Sequence, residues 1–298
     1  MVRDVGQLPA DRLLSQFRFR SITSATRIYG LVGLPVSHSV SPAMHNAAFE
    51  AARIDAVYLP LPAADVDDIV TFAKAFGVSG ASVTIPYKVA LFDRVQDVDA
   101  LAKAVGALNT LRIDGEQWSA RNTDIAGFLQ PLRDRQIPLA GRRAAILGAG
   151  GSARAVAVGL ASRGALVSVH ARDARKAQVV ATLASGTVGA FPPEPGSWDL
   201  LVNCTPIGMH PRIDVSPMPA ASLSRGVVYD LIYNPATTRL LRDAATAGCD
   251  TIGGLDMLIG QAQEQFEWWT GVRPQAGVMR AAATRRLSEF NNDENHFV

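Results

Sequence analysis

From Arg27 almost to the end of the chain, short apolar runs alternate with segments whose apolar residues recur every three or four positions. This alternation predicts parallel strands joined by crossover helices. Residues 27–34 (RIYGLVGL) read as a first strand, and Ser41-Pro42 caps a helix in which Met44, Ala47, Ala48 and Ala51 share a face. Strand, helix and strand follow at 56–61, 65–76 and 81–85. The texture then changes, because 108–113 and 116–121 read as a hairpin closed on Asp114-Gly115, and a polar stretch, Arg121 to Asp124, leads out of it. After a helix ending near the loop at 136–141, a second alternating series opens with a strand at 143–148 and runs to about Gly253. Helices at 255–270 and 278–288 carry more apolar and aromatic residues than one further crossover needs, enough to pack back on the first series. The expected fold is α/β with two domains, the first built from 27–124 and 254–298 and the second from 125–253.

Composition narrows the class. Of 298 residues, 48% are hydrophobic, which excludes disorder as the main state, and a formal charge of +2 argues against a nucleic-acid partner. Cys204 and Cys249 have neither metal-ligand spacing nor a disulfide framework, so they read as small buried residues of a reduced, intracellular protein with no metal. No apolar run approaches the roughly 18 residues of a membrane span, and Asp4 and Asp11 stand where a signal peptide would be apolar. A soluble cytoplasmic protein without a membrane partner is expected. The polar tail at 291–298 is expected to fray, and Leu8, Leu13, Leu14 and Phe17 can share one face of a helix that docks on a partner surface.

The clearest local chemistry lies at the head of the second series. Ala144 to Leu147 is followed by Gly148-Ala149-Gly150-Gly151-Ser152-Ala153 and a helical run from Arg154, that is, strand, glycine turn, helix. Glycines let the backbone approach a pyrophosphate, and a helix N-terminus offers it free N–H groups and partial positive charge. A Rossmann-type dinucleotide-binding domain is expected. At the end of the next strand, 165–170, no acidic residue stands ready for the ribose hydroxyls of NAD. Instead His170, Arg172, Arg175 and Lys176 form a basic cluster suited to a 2′-phosphate, which favours NADP, while Asp173 pulls toward a bare ribose.

In the first series, polar groups gather at element ends in His38 to Pro42, Ser82 to Lys88, Asn109-Thr110 and Asn122 to Asp124. Each alone has a plain explanation: Ser41 a helix cap, Thr84 a strand residue, Asn109 a turn former, Asp124 an N-cap. Together, beside a dinucleotide site, they point to a ligand. These residues resemble those of the shikimate dehydrogenases over about 27–285. His38 to Pro42 is similar to the family's H-S-x-S-P, which implies that Ser39 and Ser41 hold the substrate carboxylate. Val83 to Lys88 resembles V-T-x-P-x-K, implying Lys88 as catalytic lysine and Thr84 as a substrate contact. Ala107 to Thr110 resembles A-V-N-T and carries over Asn109; Asn122 to Asp124 matches N-T-D, with Asp124 as the lysine's partner. Asn203 to Thr205 stands where N-A-T is usual, on the cofactor side, Tyr233 follows Asp230, and GLDMLIGQ (254–261) implies Gln261 as a substrate ligand.

The resemblance implies NADP-dependent, reversible reduction of 3-dehydroshikimate to shikimate, a step toward chorismate and the aromatic amino acids, with Lys88 and Asp124 as the proton-transfer dyad. An NAD-dependent quinate/shikimate dehydrogenase and a non-catalytic metabolite-sensing regulator on the same scaffold are the alternatives. Two departures bear on this. Ser82 replaces the asparagine usual before V-T, and Ala171 to Lys176 replaces N-R-T-x-x-R, so that the arginine survives as Arg172 and the threonine becomes Asp173. Residues 1–26 lie outside this resemblance. They look like the joint of bifunctional enzymes in which a 3-dehydroquinate dehydratase precedes the dehydrogenase, which implies a fused or associated dehydratase as partner, or a relic of one.

Overall fold

The computed structural model describes Leu14, Phe17 and residues 19–294. Of the expected N-terminal helical face, Leu8 and Leu13 lie outside these residues; Phe17 is buried and Leu14 exposed. Contacts divide the chain into two compact units. The first comprises the described residues through Tyr87, Thr110–Trp118 and those from Phe266 onward; the second comprises Lys88–Asn109 and Ser119–Gln265.

The first unit opens with β1 (Arg27–Gly33), α1 (Ser41–Ala51), β2 (Ala56–Pro62), α2 (Val66–Phe76) and β3 (Val78–Val83). The run RIYGLVG is apolar on both faces, as a central strand requires, and β1 pairs in parallel with β2 and β3. Asp65 caps α2 by accepting from Asp68 N–H at 2.8 Å, and Gly77, at φ 60°, ends it. The third strand lies earlier than the expected 81–85, because Thr84 turns the chain: Tyr87 N–H donates back to Thr84 C=O at 2.9 Å. Ser41 is not the cap of α1; Val40 holds that place, and Ser41 N–H donates to Ser39 Oγ at 3.1 Å. Further along, α3 (Tyr87–Ala90), β4 (Asp97–Val98) and α4 (Ala100–Val105) precede β5 (Thr110–Asp114), which pairs antiparallel with β3. The expected hairpin closes through Gly115, at φ 58°, onto β6 (Gln117–Arg121).

The core of the first unit is aromatic. Tyr29 lies 5.3 Å from Phe49 and 5.0 Å from Trp269, and Phe49 lies 4.9 Å from Phe266, ring centroid to ring centroid. Trp269 Nε1 donates to Leu111 C=O at 2.8 Å, so this buried indole is satisfied. Ser82, the departure from the usual asparagine, has a partner here: Tyr58 Oη donates to Ser82 Oγ at 2.7 Å.

In the second unit α5 (Asp124–Asp134) leads to β7 (Arg143–Leu147), α6 (Gly151–Ala161), β8 (Leu166–His170), α7 (Ala174–Leu183), β9 (Thr187–Gly189), β10 (Leu200–Asn203), β11 (Val227–Asp230), α8 (Arg239–Thr246) and β12 (Asp250–Ile252). The six strands β7 to β12 are all parallel, in the order β9-β8-β7-β10-β11-β12. This is the doubly wound dinucleotide-binding order, whose direction reverses between β7 and β10. Each central strand buries both faces. Ala144 and Ile146 pack with Val156, Leu160 and Val202, while Ala145 and Leu147 pack with Trp198, Leu201 and Leu240.

The chain closes with α9 (Gly254–Thr270) and α10 (Ala276–Glu294). The end of α9, with Phe266 and Trp269, and all of α10 belong to the first unit, where α10 packs on α1. The tail expected to fray from Asn291 stays helical to Glu294, because no glycine or proline interrupts α10 after Gly277; residues 295–298 lie outside the described set.

Candidate active site

Lys88 stands on the one-turn helix α3, and its backbone C=O accepts from Leu108 N–H at 2.8 Å. Its Nζ donates to Asp124 Oδ2 at 2.5 Å, a pair with side chains 13% and 5% exposed. Asp124 is the first residue of α5 and caps nothing; its other oxygen accepts from Asn109 Nδ2 at 2.7 Å. Asn109 is not a turn former either. It is 2% exposed, its Oδ1 accepts from Thr123 N–H at 2.8 Å, and its Nδ2 also reaches Thr123 Oγ1 at 2.9 Å and Gln261 Oε1 at 3.4 Å. Such a carboxylate, accepting an amide on one oxygen and an ammonium on the other, fixes the position of the lysine. The expected residues Lys88, Asn109, Asp124 and Gln261 thus meet in one unit.

The glycine turn leads out of β7 in the same unit. Gly148 needs its glycine for the backbone, at φ 101°, and lies against Thr205 and Cys204 at the end of β10. At Gly150 a side chain would meet nothing within 4 Å. Gly150 is also the cap residue of α6 and offers no side chain to the helix's free N–H groups. An open cradle facing unfilled donors fits a pyrophosphate, so Gly148, Ala149, Gly150, Gly151, Ser152 and Ala153 suit the dinucleotide.

Across the strand-order reversal, Asn203 is fully buried and occupied by protein groups. Its Oδ1 accepts from Thr205 N–H at 3.0 Å and Thr205 Oγ1 at 2.7 Å, and its Nδ2 donates to Asp230 Oδ1 at 3.0 Å. Asp230 also accepts from Ile232 N–H at 3.1 Å and Thr238 Oγ1 at 2.6 Å, yet burial outweighs these bonds and pushes its carboxyl up to about 6. Burial, with Asp230 and Asp124 adding to it, raises the Cys204 thiol far above its ordinary range, which suits an inert packing residue.

The basic cluster divides. His170 is buried, with ring nitrogens 2.6 Å from Ala190 C=O and 2.9 Å from Ser168 Oγ, and burial lowers its pKa, so it turns away from the solvent side where Arg172, Arg175 and Lys176 are exposed. Asp173 caps α7, accepting from Arg175 N–H at 3.0 Å and Lys176 N–H at 3.1 Å. Both bonds fall on Oδ1, so the helix N-terminus sets the orientation of the carboxylate.

Ser39, Ser41 and Thr84 belong to the first unit, on the segments that leave the adjacent parallel strands β1 and β3, and Ser41 is buried. Tyr233 is half-buried on the loop after β11.

A shikimate dehydrogenase (NADP(+)) of Symbiobacterium thermophilum is 41% identical over 278 residues, covering 88% of this chain and 95% of the relative. The chain belongs to the shikimate dehydrogenase family. Residues 31–111 match the family's substrate binding domain and 254–284 match the shikimate 5'-dehydrogenase C-terminal domain. Among solved structures, a shikimate dehydrogenase in complex with NADP+ has a TM-score of 0.84 at 35% identity, covering 89% of this chain and 97% of its own. A shikimate 5-dehydrogenase of Thermus thermophilus, in complex with NADP(H) and shikimate, has a TM-score of 0.80 at 33% identity, covering 88% and 100%.

Sequence reasoning named Asn122 only as part of N-T-D and passed over Gln265 and Gly127, which hold the expected residues in place. Asn122 accepts from Asp124 N–H at 3.1 Å and donates to Ala107 C=O at 2.9 Å; Gln265 Nε2 donates to Asn109 C=O at 3.2 Å. The four-residue spacing of Gln261 and Gln265 on one helix face was the available signal. Gly127 gave none, yet a side chain there would lie 2.6 Å from Met257 C=O and 2.7 Å from Gln261 N, so only glycine lets α9 bring Gln261 this close.

Proposed function

We propose that this protein is an NADP-dependent shikimate dehydrogenase that reversibly reduces 3-dehydroshikimate to shikimate. The observation that carries the reading is the Lys88–Asp124 pair, ammonium to carboxylate at 2.5 Å, lying against the first residue of the helix that follows the glycine turn. NADP(H), when bound, delivers or takes up hydride. Gly148 to Ala153 and the N-terminus of α6 would hold its pyrophosphate, Asn203 and Thr205 the wall beside it, and Arg172, Arg175 and Lys176 its 2′-phosphate.

As the ring ketone is reduced, negative charge grows on its oxygen, and Lys88 neutralises it by donating a proton. Asp124 keeps the ammonium aimed, so the two act as one acid–base unit in both directions. Ser39 and Ser41 donate hydroxyls to the substrate carboxylate; Thr84, Asn109, Asp124 and Gln261 read the ring hydroxyls, and Tyr233 closes over the ring. In this reading 27–124 with 254–298 form the substrate domain and 125–253 the NADP domain. The reaction belongs to aromatic amino acid and chorismate biosynthesis in the cytoplasm. Among the described residues no helix is long and apolar enough to cross a membrane. The joint-like residues 1–26 point to a 3-dehydroquinate dehydratase, fused or associated, as partner; the 298 residues alone are expected to leave 3-dehydroquinate unconverted.

Steady-state rates for the four pairings of shikimate or quinate with NADP or NAD test the reading. Shikimate with NADP should give the highest kcat/KM. A preference for quinate with NAD overturns it, and no turnover in any pairing leaves a metabolite-binding regulator instead.

A further inference from the structure

The third glycine of the turn has no conformational reason to be glycine. Gly151 is the first residue of α6 and has no left-handed φ, and a residue with a side chain would favour the helix more. Nor does it face open space as Gly150 does. A Cβ at Gly151 would lie 3.2 Å from both Cβ and Cδ of Lys88 and 3.7 Å from its Cγ, closer than carbon atoms pack comfortably. The lysine stem has little room to yield, because its backbone C=O is held by Leu108 N–H at 2.8 Å and its Nζ by Asp124 at 2.5 Å. The stem is therefore laid along the bare backbone of Gly151 and pinned at both ends.

We infer that Gly151 is a positioning residue for Lys88: its missing side chain seats the lysine stem on the glycine turn, so that the element suited to the dinucleotide also sets where the proton-donating ammonium sits. This rests on the reading of Lys88 as proton donor and gives Gly151 a role toward the lysine beside its place in the turn that suits the pyrophosphate. A Cβ there displaces the stem by a few tenths of an ångström, and the ammonium with it. Misplacement on this scale reduces proton transfer without touching nucleotide affinity.

The test compares Gly151→Ala, Gly150→Ala, Lys88→Ala and the Lys88→Ala/Gly151→Ala double variant, by kcat at saturating shikimate and NADP and by NADP Kd from fluorescence titration. Gly151→Ala should lower kcat about tenfold with Kd within about twofold, whereas Gly150→Ala should weaken NADP binding. In the Lys88→Ala background, Gly151→Ala should cost nothing further, because the residue it acts through is gone. Unchanged kcat in Gly151→Ala, or a further loss in the double variant, overturns the inference while leaving Lys88 in place; full activity in Lys88→Ala instead removes the reading beneath it. If Gly151→Ala does not fold, a Lys88→Gly/Gly151→Ala variant should, since it removes both the Cβ and the Cδ that the new methyl strikes; its failure to fold also overturns the inference.

Discussion

Cutting Lys88 back to alanine perturbs the protein twice, and the two effects can be sized separately. The pair it breaks is mostly buried, and loss of one partner leaves Asp124, 5% exposed, without its counter-charge. Orphaning a buried carboxylate costs about 3–5 kcal/mol in general, and the lower end applies here, because Asn109 Nδ2 still donates to Asp124 at 2.7 Å and the α5 N-terminus still faces it. Asp124→Asn should cost less, about 1–2 kcal/mol, because Lys88, at 13% exposure, retains some access to water. Kinetically, loss of the proton donor should lower kcat by roughly 100-fold or more, with NADP Kd little changed. Urea denaturation gives the first quantity and saturating steady-state kinetics the second, each over the full cycle of both single variants and the double. The double variant should lie near Lys88→Ala on both axes, far short of the sum, because the residues act as a unit. Additive losses in kcat, or most of kcat surviving in Lys88→Ala, would refute the dyad.

Other expectations follow from the remaining groups. Arg172→Ala should remove most of the preference for NADP over NAD, measured as the ratio of Kd values, since Asp173 is engaged by the α7 N–H groups and Arg172 is exposed; an unchanged ratio places the 2′-phosphate elsewhere. Ser39→Ala or Ser41→Ala should raise KM for shikimate about tenfold, each losing a hydrogen bond to a charged group worth roughly 1.5 kcal/mol; an unchanged KM in both moves the carboxylate site. Asp230, raised by burial from 3.8 to about 6, retains its proton in the folded state after the unfolded chain has released it, so its contribution to stability falls as pH rises from about 4 to about 6. Asp230→Asn should flatten that slope, by up to about 3 kcal/mol across the window in urea titrations; an unaltered slope means the carboxyl is ionised throughout.

The strand–glycine–helix segment at 144–154 was legible in the chain because everything that defines it is local: an apolar strand, a turn that needs positive φ, and a helix start within a dozen positions. The two α/β series were legible for the same reason, since period-two and period-3.6 patterning is written residue by residue. Boundaries failed where a turn competed with a propensity, as at Thr84, whose C=O takes Tyr87 N–H and ends β3 early, and at Ser41, whose cap position went to Val40. The motifs also name both Lys88 and Asp124, but they stand 36 positions apart, and only the tertiary fold brings ammonium to carboxylate. Gln261 lies 152 positions from Asn109, and it arrives there because Gly127 admits the α9 backbone at a distance no side chain would allow. The roles of Asp173 and His170 were likewise open in the sequence, where both belong to one polar stretch; helix capping claims the first and burial against Ala190 the second. Local pattern fixes which element a residue joins, because backbone hydrogen bonding is satisfied among near neighbours. Which buried polar groups meet depends on how distant elements pack, and a buried ion or amide tolerates only the partner that packing delivers.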